Sequence, residues 1–337
     1  MTKPLMNRQY VFAARPDEQA TAECFGQIET EVPAPQPGEI LCRNLWLSVD
    51  PYLRLKMHDR ESYTPPLQIG EAIPGSSVAQ VIATADPAYQ EGDLVAIQGG
   101  WQEYAIVRAK HAQRVDPALS RPESWLGALG MSGFTAYGGL LSIGQPKAGE
   151  TVVVSAAAGA VGSLVGQIAR QLGCRVVGIA GGPEKCARTV ERFGFDACVD
   201  YRADDFPVAL AAACPDGIDV YFDNVGGPVT DAIANLFNLR ARMIVCGLIS
   251  HYNMPDGYVG PSILRSVLTN RVLIQGMIVF DWHDRWPAGI AQLGKFVKAG
   301  KLKYKEDVTE GLENAPSTFI GMLGGRNFGK TLIKIAE

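Results

Sequence analysis

The chain has 337 residues, a length that exceeds one ordinary hydrophobic core and suits two domains. Hydrophobic residues make up 47% of it and charged residues 20%, which excludes a largely disordered protein. The net charge of −4 predicts no electrostatic attraction to nucleic acid or to an anionic membrane surface.

The N-terminus and the cysteines predict a cytoplasmic protein. The first residues, MTKPLMNRQYVFAARP, lack the apolar core of a secretory signal. The seven cysteines form no CxxC pair, which is typical of a reduced protein rather than of a disulfide framework or a cysteine zinc site. The apolar stretch 151–169 contains three Gly, two Ser and one Gln, so we interpret it as strand, turn and helix and not as a membrane span.

The texture of the sequence changes twice along the chain. Residues 1–127 are rich in Pro and in short apolar runs between turn residues, which indicates an irregular β-rich domain. Residues 128–300 alternate apolar runs with helical stretches, a pattern typical of a parallel sheet covered on both faces. Those runs are 151–156, 175–180, 218–223, 242–247 and 272–279. In 301–337 short strands return around a small helix near 315–323, and we expect this segment to rejoin the first domain. The predicted fold is α/β, with a doubly wound parallel sheet beside a β-rich domain.

A glycine-rich turn follows the first apolar run of the predicted sheet. The sequence Ala157-Ala158-Gly159-Ala160-Val161-Gly162 is the dinucleotide-binding fingerprint with Ala157 in place of its first Gly. Gly159 would let the backbone approach a pyrophosphate, and Gly162 would let helix and strand pack closely. The helix that follows has apolar residues at Val161, Leu164, Val165, Ile168, Ala169 and Leu172. Its N-terminus offers N–H groups and a positive dipole end to the phosphates, so the segment predicts a dinucleotide site.

The end of the second strand indicates which dinucleotide binds. An NAD site places an Asp or Glu there to bind the ribose 2′-hydroxyl, but this strand ends in Ala180-Gly181-Gly182. Without a carboxylate, a 2′-phosphate is not repelled, and either Lys185 or Arg188 can supply positive charge. Tyr201, after the third strand, can lie against the adenine ribose. We therefore predict NADP(H) as the cofactor.

Two further strands end in polar residues at the edge where ligands of such sheets bind. The run 218–223 leads into Asn224, and the run 242–247 leads towards Ser250 and Tyr252. These three residues are candidates for the nicotinamide half of the site. A turn-forming asparagine is an equally good explanation of Asn224.

The remaining motifs favour hydride transfer without a metal. The cysteines and histidines of the β-rich region do not stand at ligand spacing; they are Cys24, Cys42, His58 and His111. No GxSxG elbow, P-loop or HExxH is present, so acyl transfer, phosphoryl transfer and zinc hydrolysis lack support. Reduction of an activated alkene would create an enolate, which a hydroxyl of Tyr252, of Tyr52 or of the nicotinamide ribose would stabilise.

Several motifs in order resemble one family over essentially the whole chain, namely the zinc-independent branch of the medium-chain dehydrogenase/reductase superfamily. Within it, the chain resembles the group of prostaglandin reductase (leukotriene B4 12-hydroxydehydrogenase), plant alkenal double-bond reductases and bacterial curcumin reductase. The motifs are LSVDPYLR (47–54), GMSGFTAYGGL (130–140), AAAGAVGSLVGQIA (156–169), GGPEKC (181–186), YFDNVGG (221–227), CGLISHYN (246–253), YKEDVTEGLENAP (304–316) and GGRNFGKTLIK (324–334). The resemblance implies a GroES-like domain followed by a Rossmann domain.

The resemblance also implies roles for individual residues. Two tyrosines would face the substrate, Tyr52 and Tyr252, with Tyr252 orienting the carbonyl or enolate. The residues expected to bind NADP(H) are Met131, Thr135, Gly159, Ala160, Val161, Gly162, Lys185, Tyr201, Asn224, Cys246, Gly247, Ile249, Ser250, Tyr252, Met277, Ile278, Val279 and Asn327. A homodimer through the sheet edge near 272–280 is expected on the same basis.

The predicted reaction is NADPH-dependent reduction of the C=C bond of α,β-unsaturated aldehydes and ketones, with hydride added to the β-carbon and a proton to the α-carbon. Two alternatives remain open, an NADPH:quinone oxidoreductase on the same scaffold and a non-catalytic NADPH-binding sensor. The substrate pocket depends on loops at 58–70 and 251–262, whose conformation the sequence does not predict. An aromatic cluster of Phe280, Trp282 and Trp286 fits an interface, a pocket wall or a buried helix contact.

Overall fold

The computed structural model describes residues 4–60, 62–254 and 258–336. The first three residues, Glu61, residues 255–257 and Glu337 lie outside the described residues, and with them parts of the N-terminal segment and of both predicted pocket loops. The chain divides into two compact units. The first contains the residues up to Leu126, Glu306–Asn327 and the residues from Thr331 onward, and the second contains Gly127–Lys305 and Phe328–Lys330.

The N-terminal part of the first unit is built from short antiparallel strands, because its apolar runs are brief and end at turn residues. Two strands, β1 (Met6–Phe12) and β2 (Phe25–Glu31), pair with each other. The strands of a larger sheet are β3 (Glu39–Ser48), β4 (Ser77–Thr84), β5 (Leu94–Ile97), β6 (Tyr104–Arg108) and β7 (Gln113–Arg114). The helices here are α1 (Leu53–Lys56) and the 3-10 turns Ala22–Cys24, Ala109–His111 and Pro122–Leu126.

The second unit is a parallel sheet covered by helices. Its strands are β8 (Thr151–Ser155), β9 (Arg175–Ala180), β10 (Ala197–Asp200), β11 (Ile218–Asp223), β12 (Phe237–Val245) and β13 (Leu273–Gly276). They lie in the order β10-β9-β8-β11-β12-β13 and all neighbours pair in parallel. Every residue of β8 is buried, as expected for a central strand with helices on both faces. The sheet order reverses between β8 and β11, and such a switch point is where these sheets bind ligands.

The helices of the second unit follow the predicted alternation. They are α2 (Met131–Gly139), α3 (Ala160–Gln171), α4 (Pro183–Phe193), α5 (Phe206–Ala213), α6 (Gly227–Ala234), α7 (Leu264–Asn270) and α8 (Trp286–Lys298). Shorter helical turns are Leu140–Gly144, Ile249–His251 and Val279–Arg285. The prediction of an α/β fold with a Rossmann-type sheet and a separate β-rich part is confirmed.

The C-terminal part of the chain supplies β14 (Glu306–Glu310), the 3-10 turn Leu312–Asn314, α9 (Ala315–Leu323) and β15 (Lys330–Lys334). Strand β15 pairs with β3 and extends the large antiparallel sheet of the first unit. In the same unit Trp101 stacks on Phe25 with 5.6 Å between ring centroids and meets Phe319 of α9 edge-on at 5.9 Å. The C-terminal helix is therefore part of the core that the N-terminal residues form.

Two sequence expectations in the second unit need correction, and the alternatives for the aromatic cluster are narrowed. The run 272–279 is a strand only over Leu273–Gly276, because a 3-10 turn begins at Val279. Leu172 is not on the buried face of α3; it lies one residue beyond the helix end and is exposed. In the aromatic cluster, Trp286 packs on Phe134 of α2 with 4.7 Å between centroids, whereas Phe280 is 61% exposed.

Among the residues that the structure describes, no helix combines the length and the apolar character needed to cross a bilayer.

Candidate active site

The turn after β8 is built by close backbone packing. Ala156 adopts a left-handed conformation with φ of 50°, which reverses the chain immediately after the strand. The amide of Gly159 then donates to the carbonyl of Ala156 at 2.9 Å, and α3 begins at the next residue. A Cβ on Gly162 would overlap the carbonyl oxygen of Ala156 and lie 2.9 Å from the Cα of Ala157. Gly162 therefore permits the close approach of helix and strand that the fingerprint predicts.

The predicted pyrophosphate residues Gly159, Ala160 and Val161 are all partly exposed at this helix N-terminus. A Cβ on Gly159 would meet only the carbonyl oxygen of Ala156, at 3.2 Å, so the outer side of the turn is open. First-turn amides with no intrahelical partner are the groups that bind phosphate oxygens. The turn therefore fits a dinucleotide pyrophosphate.

The sequence did not predict the role of Gly329 in supporting this turn. The amide of Gly329 donates to the carbonyl of Ala158 at 2.8 Å, and Gly329 forms a parallel bridge with Gly159. Its φ of +93° and a Cβ position that would overlap the carbonyl of Lys305 both require glycine. The signal available in the sequence was the GGRNFGK motif.

The end of β9 has no carboxylate of its own. Gly181 and Gly182 follow the strand, and Lys185 lies in the first turn of α4. Tyr201 stands beside them, because its amide donates to the carbonyl of Ala180 at 3.1 Å, and its side chain is exposed. The residues predicted for the 2′-phosphate end are thus neighbours at one edge of the sheet.

A buried carboxylate organises the turn after β11. Asp223 is fully buried at the last position of the strand. Its two carboxylate oxygens accept five hydrogen bonds, from the hydroxyls of Tyr221 (2.8 Å), Ser155 (3.0 Å) and Thr230 (2.6 Å) and from the amides of Val225 (2.9 Å) and Gly226 (3.0 Å). A buried carboxylate is stable only when it is hydrogen-bonded in this way. We name Asp223 and these five donors the Asp223 cluster.

Asn224 is oriented by the same cluster. Its backbone amide donates to the Ser155 hydroxyl and its side-chain Nδ2 donates to the Ser155 carbonyl, both at 2.8 Å. With Nδ2 bound to β8, Oδ1 is the atom of the side chain that can accept a hydrogen bond from a ligand. The side-chain amide of Asn224 is thus held across the switch point between β8 and β11.

The loop after β12 is bound to the Asn224 turn. The amides of Cys246 and Gly247 donate to the carbonyl of Asp223 at 2.8 and 3.1 Å. Ser250 donates to the carbonyl of Val225 twice, from its amide at 3.1 Å and from its hydroxyl at 2.7 Å. Ile249 and Tyr252 follow in the same loop. Burial and the nearby Asp223 raise the pKa of the Cys246 thiol to about 12.

The remaining residues predicted to contact the nicotinamide belong to α2 and to the segment after β13. Met131 is the first residue of α2, and Thr135 lies one turn later and is buried. A Cβ on Gly139 would lie 2.5 Å from the sulfur of Met277, so Met277 packs against the end of the same helix. Ile278 precedes the 3-10 turn Val279–Arg285, and Val279 is its first residue.

Tyr52 and Asn327 are the two predicted site residues that lie in the first unit. Tyr52 precedes the short helix α1, which is fixed by Arg54, a fully buried arginine whose guanidinium donates to the carbonyl of Glu18 and contacts Nε2 of His58 at 3.1 Å. Burial, with a smaller contribution from Asp50, raises the pKa of Tyr52 well above its ordinary value. Its hydroxyl is therefore protonated at neutral pH and can donate a hydrogen bond.

Within the described residues, no three His, Cys, Asp or Glu side chains are grouped so that they could hold a metal ion.

Two family models match the chain, and both describe oxidoreductases. A model described as "N-terminal domain of oxidoreductase" matches residues 8–115, and one described as "Zinc-binding dehydrogenase" matches residues 160–295. The chain belongs to the medium-chain dehydrogenase/reductase superfamily, in the group that contains curcumin, alkenal and prostaglandin reductases, as the motif series predicts.

Individual relatives match over nearly the full chain. The NADPH-dependent curcumin reductase of Escherichia coli (strain K12) is 48% identical over 335 residues, 98% of this chain and 97% of the relative. The 2-alkenal reductase (NADP(+)-dependent) of Nicotiana tabacum is 42% identical, covering 89% of this chain and 88% of the relative. Among solved structures, CurA in complex with NADPH from Vibrio vulnificus matches with a TM-score of 0.93 and 46% identity, covering 98% of this chain and 99% of that chain.

Proposed function

We propose that this protein uses NADPH to reduce the C=C bond of α,β-unsaturated aldehydes and ketones. The observation that carries the proposal is the identity to two relatives, 48% over 98% of the chain and 42% over 89% of it, which are named for NADPH-dependent reduction of curcumin and NADP-dependent reduction of 2-alkenals. The loop that carries Tyr252 supports it, because that loop is hydrogen-bonded to the Asn224 turn at the carboxyl edge of the nucleotide sheet.

Three groups of residues bind the cofactor in this proposal. The turn from Gly159 to Gly162 holds the pyrophosphate with backbone amides, while Lys185 and Tyr201 bind the 2′-phosphate end. The third group lines the nicotinamide half and contains Met131, Thr135, Asn224, Cys246, Gly247, Ile249, Ser250, Tyr252, Met277, Ile278, Val279 and Asn327. When bound, NADPH supplies the hydride that is added to the β-carbon.

The protein must then stabilise negative charge on the carbonyl oxygen of the substrate. The hydroxyl of Tyr252 orients this oxygen and donates a hydrogen bond to it as the charge develops. Tyr52 is a second donor, and its raised pKa keeps the proton on its hydroxyl under all ordinary assay conditions. Aligned donors of this kind contribute about 10² to 10³ in rate.

The test is oxidation of NADPH carrying two deuterium atoms at C4 with 3-nonen-2-one, run beside NADH and in the presence of EDTA. We expect a saturated ketone with deuterium at the β-carbon, a clear preference for NADPH and no effect of EDTA. Reduction of quinones without turnover of enones would instead identify a quinone oxidoreductase. Tight NADPH binding without turnover of any acceptor would identify a non-catalytic binding protein.

The tyrosines are tested with matched variants. Tyr252→Phe should lower kcat about 10²-fold with little change in the dissociation constant of NADPH, and Tyr52→Phe should lower kcat less. Tyr89→Phe is the control. It removes the hydrogen bond that the Tyr89 hydroxyl donates to the carbonyl of Ala112 at 2.7 Å, and this bond lies outside the proposed site. Equal activities of all three variants would contradict the proposed roles.

We also propose a homodimer formed through β13. This strand is at one end of the sheet order and all four of its residues are exposed. Apolar side chains continue the surface: Leu273 is 51% exposed, and Leu264 and Leu268 of α7 are 71% and 78% exposed. A second copy that pairs edge to edge would provide hydrogen-bond partners for the backbone groups of β13 and cover these apolar side chains.

Light scattering after size-exclusion chromatography tests the dimer. Leu273→Lys should give a monomer, because a charge at the strand edge opposes pairing. Val208→Lys is the control, since Val208 is an equally apolar side chain, 72% exposed on α5, which packs on the strand at the opposite end of the sheet. Monomeric wild-type protein, or no difference between the two variants, would contradict the proposal.

A cytoplasmic location is proposed as well. All seven cysteines are free thiols, and burial raises the pKa of Cys42 to about 12, so this thiol stays protonated and unreactive. Fractionation of cells that express the protein should recover it with a cytoplasmic marker. Recovery from a membrane or extracytoplasmic fraction would contradict this.

A further inference from the structure

The end of β9 is covered by side chains from the segment after β10. A Cβ on Gly181 would lie 3.0 Å from Nε of Arg202 and 3.0 Å from a ring carbon of Tyr201. The guanidinium of Arg202 and the ring of Tyr201 therefore occupy the space over Gly181. A Cβ on Gly182 would meet nothing within 4 Å, so the surface beside them is open. This is the strand end where a dinucleotide presents its ribose 2′-position.

The backbone of Arg202 is fixed relative to this strand end by one carboxylate. Oδ1 of Asp200 accepts the amide of Gly182 at 2.7 Å and the amide of Arg202 at 3.0 Å. The same oxygen thus joins the two segments that border the open surface. The guanidinium of Arg202 lies 5.6 Å over the Tyr201 ring, is hydrogen-bonded to that side chain and has the Asp200 carboxylate as a charged neighbour.

Arg188, the other arginine near this edge, is engaged elsewhere. Its guanidinium lies 3.5 Å from the carboxylate of Glu184 and 4.1 Å over the ring of Phe328. The ion pair offsets its charge and the ring contact holds it on the outer face of α4. Of these two arginines, Arg202 is the one whose guanidinium lies over Gly181 at the strand end.

We propose that Arg202 is a specificity-determining residue that binds the 2′-phosphate of NADP(H) together with Lys185, and that Arg188 does not take this role. A guanidinium forms two parallel hydrogen bonds with a phosphate, which a lysine cannot do. The sequence singled out Lys185 and Arg188 because they lie on one helix after the glycines. The sequence did not indicate Arg202 because this residue follows the next strand, β10, and not the glycines after β9.

The test is isothermal titration with 2′,5′-ADP, which carries the phosphate, and with 5′-AMP, which lacks it. No acceptor substrate is needed, so the result does not depend on the proposed reaction. Arg202→Ala should weaken binding of 2′,5′-ADP about ten- to a hundredfold and leave 5′-AMP within twofold. Arg202→Lys should restore part of the loss, because it keeps the charge without the paired donors.

Two further variants complete the comparison. Lys185→Ala should resemble Arg202→Ala, and Arg188→Ala should leave both affinities within twofold. An unchanged affinity of Arg202→Ala for 2′,5′-ADP would overturn the proposal. So would an equal loss for both nucleotides, which would indicate that Arg202 only supports the local fold, or a loss in Arg188→Ala as large as in Arg202→Ala.

Discussion

The turns that follow β8 and β11 lie side by side at the carboxyl edge of one sheet, yet they are held by different chemistry. The turn after β8 is made of small residues, and backbone contacts at Gly162 hold it in place. The turn after β11 is held by the Asp223 cluster, in which side chains and amides converge on one buried carboxylate. A backbone turn leaves its amides open to a ligand, whereas a side-chain cluster aims one particular group, the amide of Asn224. In the proposed NADPH site, the first turn binds the phosphates and the second orients the nicotinamide ring.

Removing the carboxylate of Asp223 should give the largest effect. Asp223→Ala leaves five donors without their acceptor, and we expect the free energy of unfolding to fall by about 3–5 kcal/mol and NADPH affinity to fall with it. Urea denaturation and fluorescence titration with NADPH would measure both. Asp219→Ala is the matched control on the same strand, because among the described residues its carboxylate accepts two hydrogen bonds, from the amide of Thr151 at 2.8 Å and from the side chain of Asn238 at 2.9 Å. Equal losses in the two variants would contradict a special role for the cluster.

Two glycine substitutions separate packing from ligand access in the turn after β8. Gly162→Ala forces a methyl group against the backbone of Ala156 and Ala157, and it should lower the free energy of unfolding by about 1–3 kcal/mol. Gly159→Ala meets a single atom at 3.2 Å, so it should change stability little while weakening NADPH binding. Thermal denaturation beside NADPH titration measures the two effects. The distinction fails if both variants lose stability equally and retain affinity.

The smallest effect on stability is expected at the amino edge of the same sheet, where the strands begin. Glu150, just before β8, accepts hydrogen bonds from Arg242 of β12 at 2.6 and 3.0 Å. Burial alone would raise the pKa of Glu150, but the bonds from Arg242 and from the amide of Lys147 hold it below its ordinary value. A lowered pKa in the folded state means that this carboxylate stabilises the protein above about pH 4.5, the ordinary glutamate pKa, and that the contribution is lost as the pH falls through the folded-state pKa.

Glu150→Gln should therefore lower the free energy of unfolding by about 1 kcal/mol at pH 7 and by less at pH 3.5. Chemical denaturation across this pH range measures the difference. Glu191→Gln, at an exposed position of α4, is the control and should show no such trend. A constant difference between Glu150→Gln and wild type at all pH values would show that the ion pair does not carry the effect.

The sequence predicted the part of the site that depends on neighbours along the chain. Strands β9 and β11 match the predicted runs at both ends, and the fingerprint turn is followed by α3 as expected. These features rest on local periodicity and on glycine spacing, which a single sequence displays directly. The order of the motifs was also enough to predict the family, because the resemblance extended over several segments of the chain.

The residues that the sequence missed depend on long-range contacts. Ser155 and Asp223 are 68 positions apart in the chain, and nothing in either segment shows that they share a hydrogen bond. Arg202 lies over Gly181 after β9, and Gly329 bonds to the turn after β8. Both residues come from segments that are distant in the chain from the residues they contact. One signal was present for Asp223, since a carboxylate at the end of the apolar run IDVYFD is costly unless several donors surround it.

The Asp223 cluster should also slow hydrogen exchange in the loop after β11. The amides of Val225 and Gly226 are bonded to a carboxylate that is itself held by β8 through Ser155 and by α6 through Thr230. These two loop amides can therefore exchange with deuterated solvent only when the strands beside them separate. A segment that has the appearance of a surface turn should then show the slow hydrogen exchange of the sheet interior, and the arrangement that aims Asn224 should persist for as long as the sheet itself remains folded.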